Sequence, residues 1–465
     1  MGTVTRRRPV LAAAVLGVIA LAAGGLTGRG PLPARAADAP VFGDPTVSSE
    51  FLSGITISEP VSLPAGVSRI EALVSTEGSD RTFTTPVQLP GPGSPVLRYR
   101  FDTPGGSIMP NTRVELGFRV TLSDGTTVRG PTARIRYDDT RFTWQTRTGT
   151  LVRVHWTNGG DAFGKRALKI AEDAVAKTSA LLGVTETEPI DFFVYADQSA
   201  FYDVLGPAAH ENIGGVAFPN IRTLFANISA ATVDDPWVSI VIPHELTHLV
   251  FGTATDNPYH GPTHWLNEGL AVYLSAGYTS DSRDSVGAAV ADGSLMPLTA
   301  LDGQFPSSGQ RFALAYDEAV SAVDFMVRTY GRDALVKLIR SYADGRTDDE
   351  AFTTGIGLDV AGFEAAWLAD LGAPAPSPYG PRPAPAGPVP SGWLGAAPTA
   401  GAAPASGPPG PGGGDGNGGS ADTLVVGIGL LVAFGAVLVL AGLLMTRRRR
   451  VPPPDGGWGD PGGPP

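Results

Sequence analysis

The sequence predicts a multidomain chain: an all-β sandwich, then an α+β domain, a disordered linker and one transmembrane helix. Three features of its 465 residues carry that prediction. Short strand-like runs separated by turn residues fill positions 40–138. From Phe142 onward, such runs alternate with long amphipathic periods. Near the end, the 22 residues Leu424 to Met445 hold no charge and are followed by Thr446 and the four arginines 447–450.

Residues 1–36 read as a secretory signal peptide. Arg6-Arg7-Arg8 precede an uncharged run from Pro9 to Thr27, and Ala34-Arg35-Ala36 offers a small-residue cleavage site. The chain has no cysteine, so an exported domain must rely on its core rather than on disulfides.

Within 40–138, the runs Gly54–Ile57, Val67–Val74, Val96–Phe101, Val114–Leu122 and Thr132–Tyr137 are rich in strand-forming residues. Ser123-Asp124-Gly125 and Pro90-Gly91-Pro92-Gly93 supply turns between them. This spacing predicts an immunoglobulin-like or fibronectin-like sandwich. Such a domain serves as a spacer, or as a docking module for an envelope protein.

In 142–372, Leu151–Trp156 and Ile190–Tyr195 read as strands, with Phe163–Leu182 an amphipathic helix closed by Gly183. Ser199–Leu205 is a short helix. Residues 214–218 and 223–227 then form a hairpin whose outer strand is an ordinary sheet edge or one that holds an extended peptide. Arg311–Tyr330, Asp333–Ala343 and Val360–Leu371 have helical apolar spacing.

Between these elements lies His244-Glu245-Leu246-Thr247-His248, followed by Asn267-Glu268-Gly269-Leu270-Ala271. Residues four apart share a helix face, so the two imidazoles can converge on one ion. Zinc accepts imidazole and carboxylate ligands and leaves a catalytic position open to water. Glu245, one residue round the helix, can reach that water as a general base while zinc polarises a carbonyl. Such chemistry hydrolyses peptide bonds. Trp265–Leu274 has helical apolar spacing, placing Glu268 near a helix start.

The two motifs together resemble the gluzincin side of the zincin metallopeptidases, most closely the bacterial peptidase MA-like family, over roughly Phe142 to Leu371. The resemblance implies an α+β zincin-like metallopeptidase domain with His244, His248 and Glu268 binding Zn2+ and Glu245 as base. It also implies an oxyanion-stabilising tyrosine or histidine on a later helix. Tyr316 is the candidate, the alternative being a packed aromatic. Thermolysin-like enzymes carry an aspartate four residues after the third ligand. Here Val272 stands at that position, so a carboxylate orienting a ligand histidine must come from elsewhere. His264 lines the cleft or replaces a ligand, whereas His210 and His260 read as loop residues.

Two other metal geometries fail. Metzincins need glycine and histidine where this chain has Phe251 and Ala254. Intramembrane proteases place the motif in a membrane span, but Trp237–Phe251 is short and holds Pro243 and three ionisable groups. It reads as a core helix with proline in its first turn.

Residues 373–422 are almost entirely Pro, Gly, Ala and Ser, which build no core and form a tether. Residues 424–445 span a bilayer, and the arginine block marks the cytoplasmic side, leaving 446–465 as a cytoplasmic tail. The expectation is a single-pass protein of the cell membrane with its N-terminal part outside. A net charge of −11 argues against nucleic acid as partner. Thirty of 34 basic residues are arginine, a usage typical of GC-rich bacterial genomes. The alternative to a peptidase acting on peptide or protein is a catalytically inactive zincin-fold surface scaffold. The base Glu245 favours the enzyme.

Overall fold

A computed structural model describes residues 39–89, 95–207, 214–306 and 309–376. Residues 1–36, read as a signal peptide, most of 373–422, read as a linker, 424–445, read as a transmembrane helix, 446–465, read as a cytoplasmic tail, His210 and Pro90–Gly93 lie outside the described residues. Among the described residues, no helix is long and apolar enough to cross a membrane.

The N-terminal strands form two antiparallel sheets. In the first, β3 (Gly54–Ser62) carries β1 (Val41–Phe42) and β2 (Thr46–Glu50) on one side and β6 (Val96–Asp102) on the other. In the second, β4 (Val67–Thr76) lies between β5 (Thr82–Val87) and β7 (Thr112–Leu122); β8 (Thr127–Arg129) and β9 (Ala133–Tyr137) share the far edge of β7. Alternation sets the interior. Val114, Leu116, Phe118, Val120 and Leu122 point one way along β7 and meet Ile55, Ile57 and Val61 of β3 in one buried cluster. The sequence reading missed β1 and β8, only two and three residues long, and β2 and β5, whose inward positions include Ser49 and Thr85 and so break the apolar alternation.

The second sheet system has the order β10–β11–β12–β14–β13, from β10 (Gln145–Thr148), β11 (Val152–Trp156), β12 (Ile190–Tyr195), β13 (Gly215–Phe218) and β14 (Thr223–Asn227). The central three strands are parallel, and β13 is antiparallel to β14 at the edge. Every residue of β12 is buried, as expected for a strand covered on both faces. One face carries Phe192 and Val194 against α1 (Asp161–Leu182) and α3 (Val238–Thr255). On the opposite face, Phe193, Tyr195 and Phe225 meet α2 (Gln198–Leu205) and Met109 of the sandwich.

The two parts are joined by a polar seam. Asn111, at φ +71°, donates from Nδ2 to Asp191 Oδ2 and Thr223 Oγ1, each at 3.0 Å. Arg141 bonds Asp139 and reaches Asp203 at 2.7 Å, while the Tyr195 hydroxyl donates to Asp139 at 3.0 Å.

The remaining chain is helical: α4 (His264–Ser275), α5 (Ser280–Asp292), α6 (Gly309–Tyr330), α7 (Arg332–Ser341), α8 (Asp348–Ile356) and α9 (Val360–Leu371). Trp265 and Trp367 are fully buried among them. Helix α3 corrects one expectation. It starts at Val238, so Pro243 lies in its second turn, not its first. Proline removes one backbone donor, and the preceding turn is held by bonds from Val238, Ile240 and Val241 amides to carbonyls three and four residues back.

Candidate metal centre

Helix α3 brings His244 and His248 onto one face, edge-on with ring centroids 4.8 Å apart. Helix α4 packs against α3 and presents Glu268 from its second turn. The Glu268 Oε2 atom lies 3.3 Å from His244 Nε2 and 3.6 Å from His248 Nε2, and the two Nε2 atoms are 3.1 Å apart. All three side chains are buried. The structure therefore unites, from positions up to 24 residues apart, the three residues that the motifs single out.

The donor set fits zinc. Ligand atoms about 2.0–2.1 Å from a tetrahedral zinc are roughly 3.3 Å from one another, and the observed separations of 3.1, 3.3 and 3.6 Å bracket that spacing. Glu268 Oε2 is buried and accepts no hydrogen bond, which at this depth is costly without a cation.

The partner that orients His248 is an amide, not a carboxylate. His248 Nδ1 lies 2.9 Å from Asn267 Oδ1. An amide oxygen only accepts, so Nδ1 carries the proton and Nε2 presents its lone pair toward His244 and Glu268. Asn267 sits beside Glu268 inside the second motif; its adjacency to a ligand was the readable signal. His264 Nε2 stands 3.8 Å from the other Glu268 oxygen, Oε1, with its ring edge-on to Phe305. It is thus near the cluster without joining the three.

Two neighbouring carboxyls are driven in opposite directions. Burial pushes Glu245 up to about 7, with the Glu268 charge adding and His244 opposing. Burial also works against the Glu268 charge, but His248, His244 and His264 outweigh it and hold its carboxyl at about 2. Tyr316 is buried between Phe305 and Phe312. Burial, then the charges of Glu268 and Glu245, raise its hydroxyl well above the usual range, and hydrogen bonding to Glu268 adds to this.

Strand β13 passes directly over Glu245. A Cβ built on Gly215 would stand 2.8 Å from Glu245 Cγ, a clash, so only glycine lets the strand come this close. The sequence offered Gly214-Gly215 as a hairpin feature and gave no sign of what it would touch.

Comparison with known proteins locates the same region. The Peptidase MA superfamily matches residues 170–373. Aminopeptidase M1-A of Oryza sativa subsp. japonica is 32% identical over 132 residues, which are 28% of this chain and 14% of that protein. Among solved structures, an aminopeptidase N family protein from Idiomarina loihiensis has a TM-score of 0.36 at 11% identity, over 69% of this chain and 76% of its own. An M1 zinc metallopeptidase from Deinococcus radiodurans has a TM-score of 0.32 at 14% identity, over 70% of this chain and 93% of its own. Scores of that size establish no shared fold, so the functional reading rests on the match over 170–373 and on the cluster itself.

Proposed function

We propose that the chain is a zinc-dependent peptidase in which His244, His248 and Glu268 hold the metal and Glu245 is the general base. The observation that carries this reading is the convergence of three buried metal-binding groups beside a fourth, separately buried carboxyl. The match of residues 170–373 to the Peptidase MA superfamily supports it.

When bound, zinc would acidify water and polarise the carbonyl of the scissile bond. Asn267 holds the His248 ring with its Nε2 lone pair turned inward. Glu245, buried and with a proton affinity near neutrality, removes a proton from the attacking water and returns it to the leaving amine nitrogen. The outer edge of β13 offers backbone groups to an extended peptide lying over Glu245. Tyr316 keeps its proton at neutral pH, and it stabilises the oxyanion by exchanging its hydrogen bond to Glu268 for one to that oxygen. Outside this region, residues 1–36 direct export, 373–422 tether the domain and 424–445 anchor it in the cell membrane.

The deciding experiment compares metal content and hydrolysis of a quenched-peptide library by the wild type and Glu245→Gln. One zinc per chain in both, with cleavage by the wild type alone, is the expected result. A wild-type protein that binds no zinc stoichiometrically would overturn the assignment.

A further inference from the structure

Strand β13 has a free edge, and its register fixes which residues serve it. The Asn227 amide donates to the Gly214 carbonyl at 2.9 Å, and the same antiparallel register sets Val216 opposite Phe225 and Phe218 opposite Thr223. Bonded and unbonded pairs alternate along such a ladder. Val216 and Phe218 therefore direct their N–H and C=O groups at β14, while Gly215 and Ala217 turn theirs to the open edge. Side chains alternate as well. Ala217 packs on the α3 side of the sheet, and Val216 and Phe218 on the side facing the sandwich. A peptide strand added to this edge bonds Gly215 and Ala217, and its residue opposite Phe218 points to the sandwich side.

On that side lies a cavity of about 230 Å³ between the sandwich and the sheet edge. Phe83 of β5, Phe101 of β6, and Ile108 and Met109 of the β6–β7 loop line it from the sandwich; Phe218 and Ile221 line it from the sheet. Phe83 and Phe101 stack with centroids 6.3 Å apart, and both are only partly buried, so their rings are open to a ligand. The β4–β5 and β13–β14 turns meet at one end of the cavity. Asn220 Nδ2 donates to the Gly78 carbonyl at 3.3 Å. A Cβ on Gly78, at φ +74°, would stand 2.6 Å from the Asn220 carbonyl oxygen, so glycine permits this contact.

The lining selects for an apolar group. Its carboxylate, Glu77, is paired with Arg113 at 2.8 Å, and the exposed Arg81 repels a basic side chain. Cross-strand neighbours have Cβ atoms about 4.5–5.5 Å apart, so the peptide residue opposite Phe218 brings its side chain against that ring. Gly215 lies against Glu245. Phe218 is three residues further along an extended strand, which puts that side chain about 10 Å from the peptide residue over Glu245.

We infer that the cavity is a subsite for an apolar side chain of the peptide substrate, about four residues from the bond cleaved. The inference rests on the peptidase reading and gives it a substrate class, extended peptides with a leucine-like residue set back from the scissile bond. The competing occupant is a free apolar small molecule.

The test uses the full-length chain and quenched peptides in which Leu replaces Gln at one residue at a time, on both sides of the bond. At the favoured position Leu should raise kcat/KM roughly fivefold to thirtyfold, part of the worth of burying that side chain. The gain should be weak at the two adjoining residues, whose side chains point to the other face. Two variants challenge the cavity itself: Phe83→Asn removes half of the stacked pair, and Ser79→Trp fills the space from the exposed β4–β5 turn. The Leu-to-Gln ratio, taken within each protein, should fall to about one in both, with unfolding midpoints showing that each is folded. A flat walk overturns the proposal, as does a ratio that survives in either folded variant. Anilinonaphthalene sulfonate bound at one per chain, lost in Ser79→Trp but not displaced by the Leu peptide, assigns the cavity to a free ligand and also overturns it. Anisotropy of labelled peptides on Glu245→Gln protein separates the two levels. Leu-dependent binding abolished by the two substitutions upholds the subsite even if no peptide is cleaved, a result that counts against the peptidase reading alone.

Discussion

Asp191 in the seam and Glu268 in the candidate metal centre are both buried carboxylates held at about 2, yet their surroundings differ. Burial opposes both charges. Asp191 overcomes it through hydrogen bonds from His155 at 2.9 Å, from Arg153 at 2.8 and 2.6 Å, and from Asn111 at 3.0 Å, so both its oxygens are satisfied. Asp139, in the same seam, is filled likewise by Arg141 and Tyr195. Glu268 instead depends mainly on the nearby imidazoles, and its Oε2 accepts nothing. Saturation marks a seam built to hold two sheets together. A buried carboxylate with an open lone pair, facing two imidazole nitrogens, marks a place built to receive an ion.

The sharpest way to break this contrast is at Glu245, the proposed base. Glu245→Gln should lower kcat/KM by about 10²- to 10⁴-fold, the usual worth of a positioned general base, while zinc stoichiometry and unfolding midpoint stay near wild type. A variant that kept wild-type turnover would remove Glu245 from the mechanism. The seam should respond in the reverse sense. Arg141→Ala strips Asp139, whose side chain is 1% exposed, of its charged partner. Leaving a buried charge unpaired costs about 3 kcal/mol or more, so denaturant unfolding should shift strongly while zinc binding to the folded fraction does not. Loss of zinc affinity without loss of stability would show that the seam and the centre are coupled.

Glu59 tests whether an unpartnered buried carboxyl is enough to mark a site. It points into the sandwich core, fully buried, with neither oxygen hydrogen-bonded, and burial pushes it up to about 7. Among the described residues no convergent donors accompany it, so the expected consequence is a stability effect alone. The unfolded chain releases this proton near 4.5 and the folded chain near 7, so the folded state binds more protons between those values. Stability should therefore fall as pH rises from 4.5 through 7, and below 4.5 the group contributes no difference. Glu59→Gln cannot ionise and should lack that fall, gaining roughly 3 kcal/mol on the wild type between pH 4 and pH 8. Parallel stability profiles for the two proteins would show that Glu59 finds a partner in solution.

Legibility in the sequence followed contact range. His244 and His248 share a face because they are four apart on one helix, and Glu268 was readable from its own short motif. The long periodic helices were equally plain: Val360–Leu371 ends where its pattern does, and α6 within two residues of it. Helix α5, SDSRDSVGAAVAD, buries only Ser282, Val286 and Ala289 and left no apolar stripe to see. The seam was invisible for a different reason. Asn111, Asp191 and Thr223 meet across 80 and 112 positions, and nothing local in any of them foretells the others. Gly215 over Glu245 is the same kind of contact, set by how α3 crosses beneath the sheet edge.

Asn267 lies between these cases, since its place in the motif was visible but its partner was not. If its Oδ1 fixes the His248 ring, Asn267→Ala should leave all three ligands in place and weaken zinc by about 10- to 100-fold, as loss of a partner behind a ligand histidine does. Competition with a chromogenic chelator measures this directly. Asn267→Asp, which still accepts from Nδ1, should restore most of the affinity, because acceptance and not the amide is what the ring requires. The unfolding midpoint of the metal-free protein should barely move in either variant. Unchanged affinity in Asn267→Ala would mean that packing alone orients His248, and the contrast with the seam would then rest on Glu268 by itself.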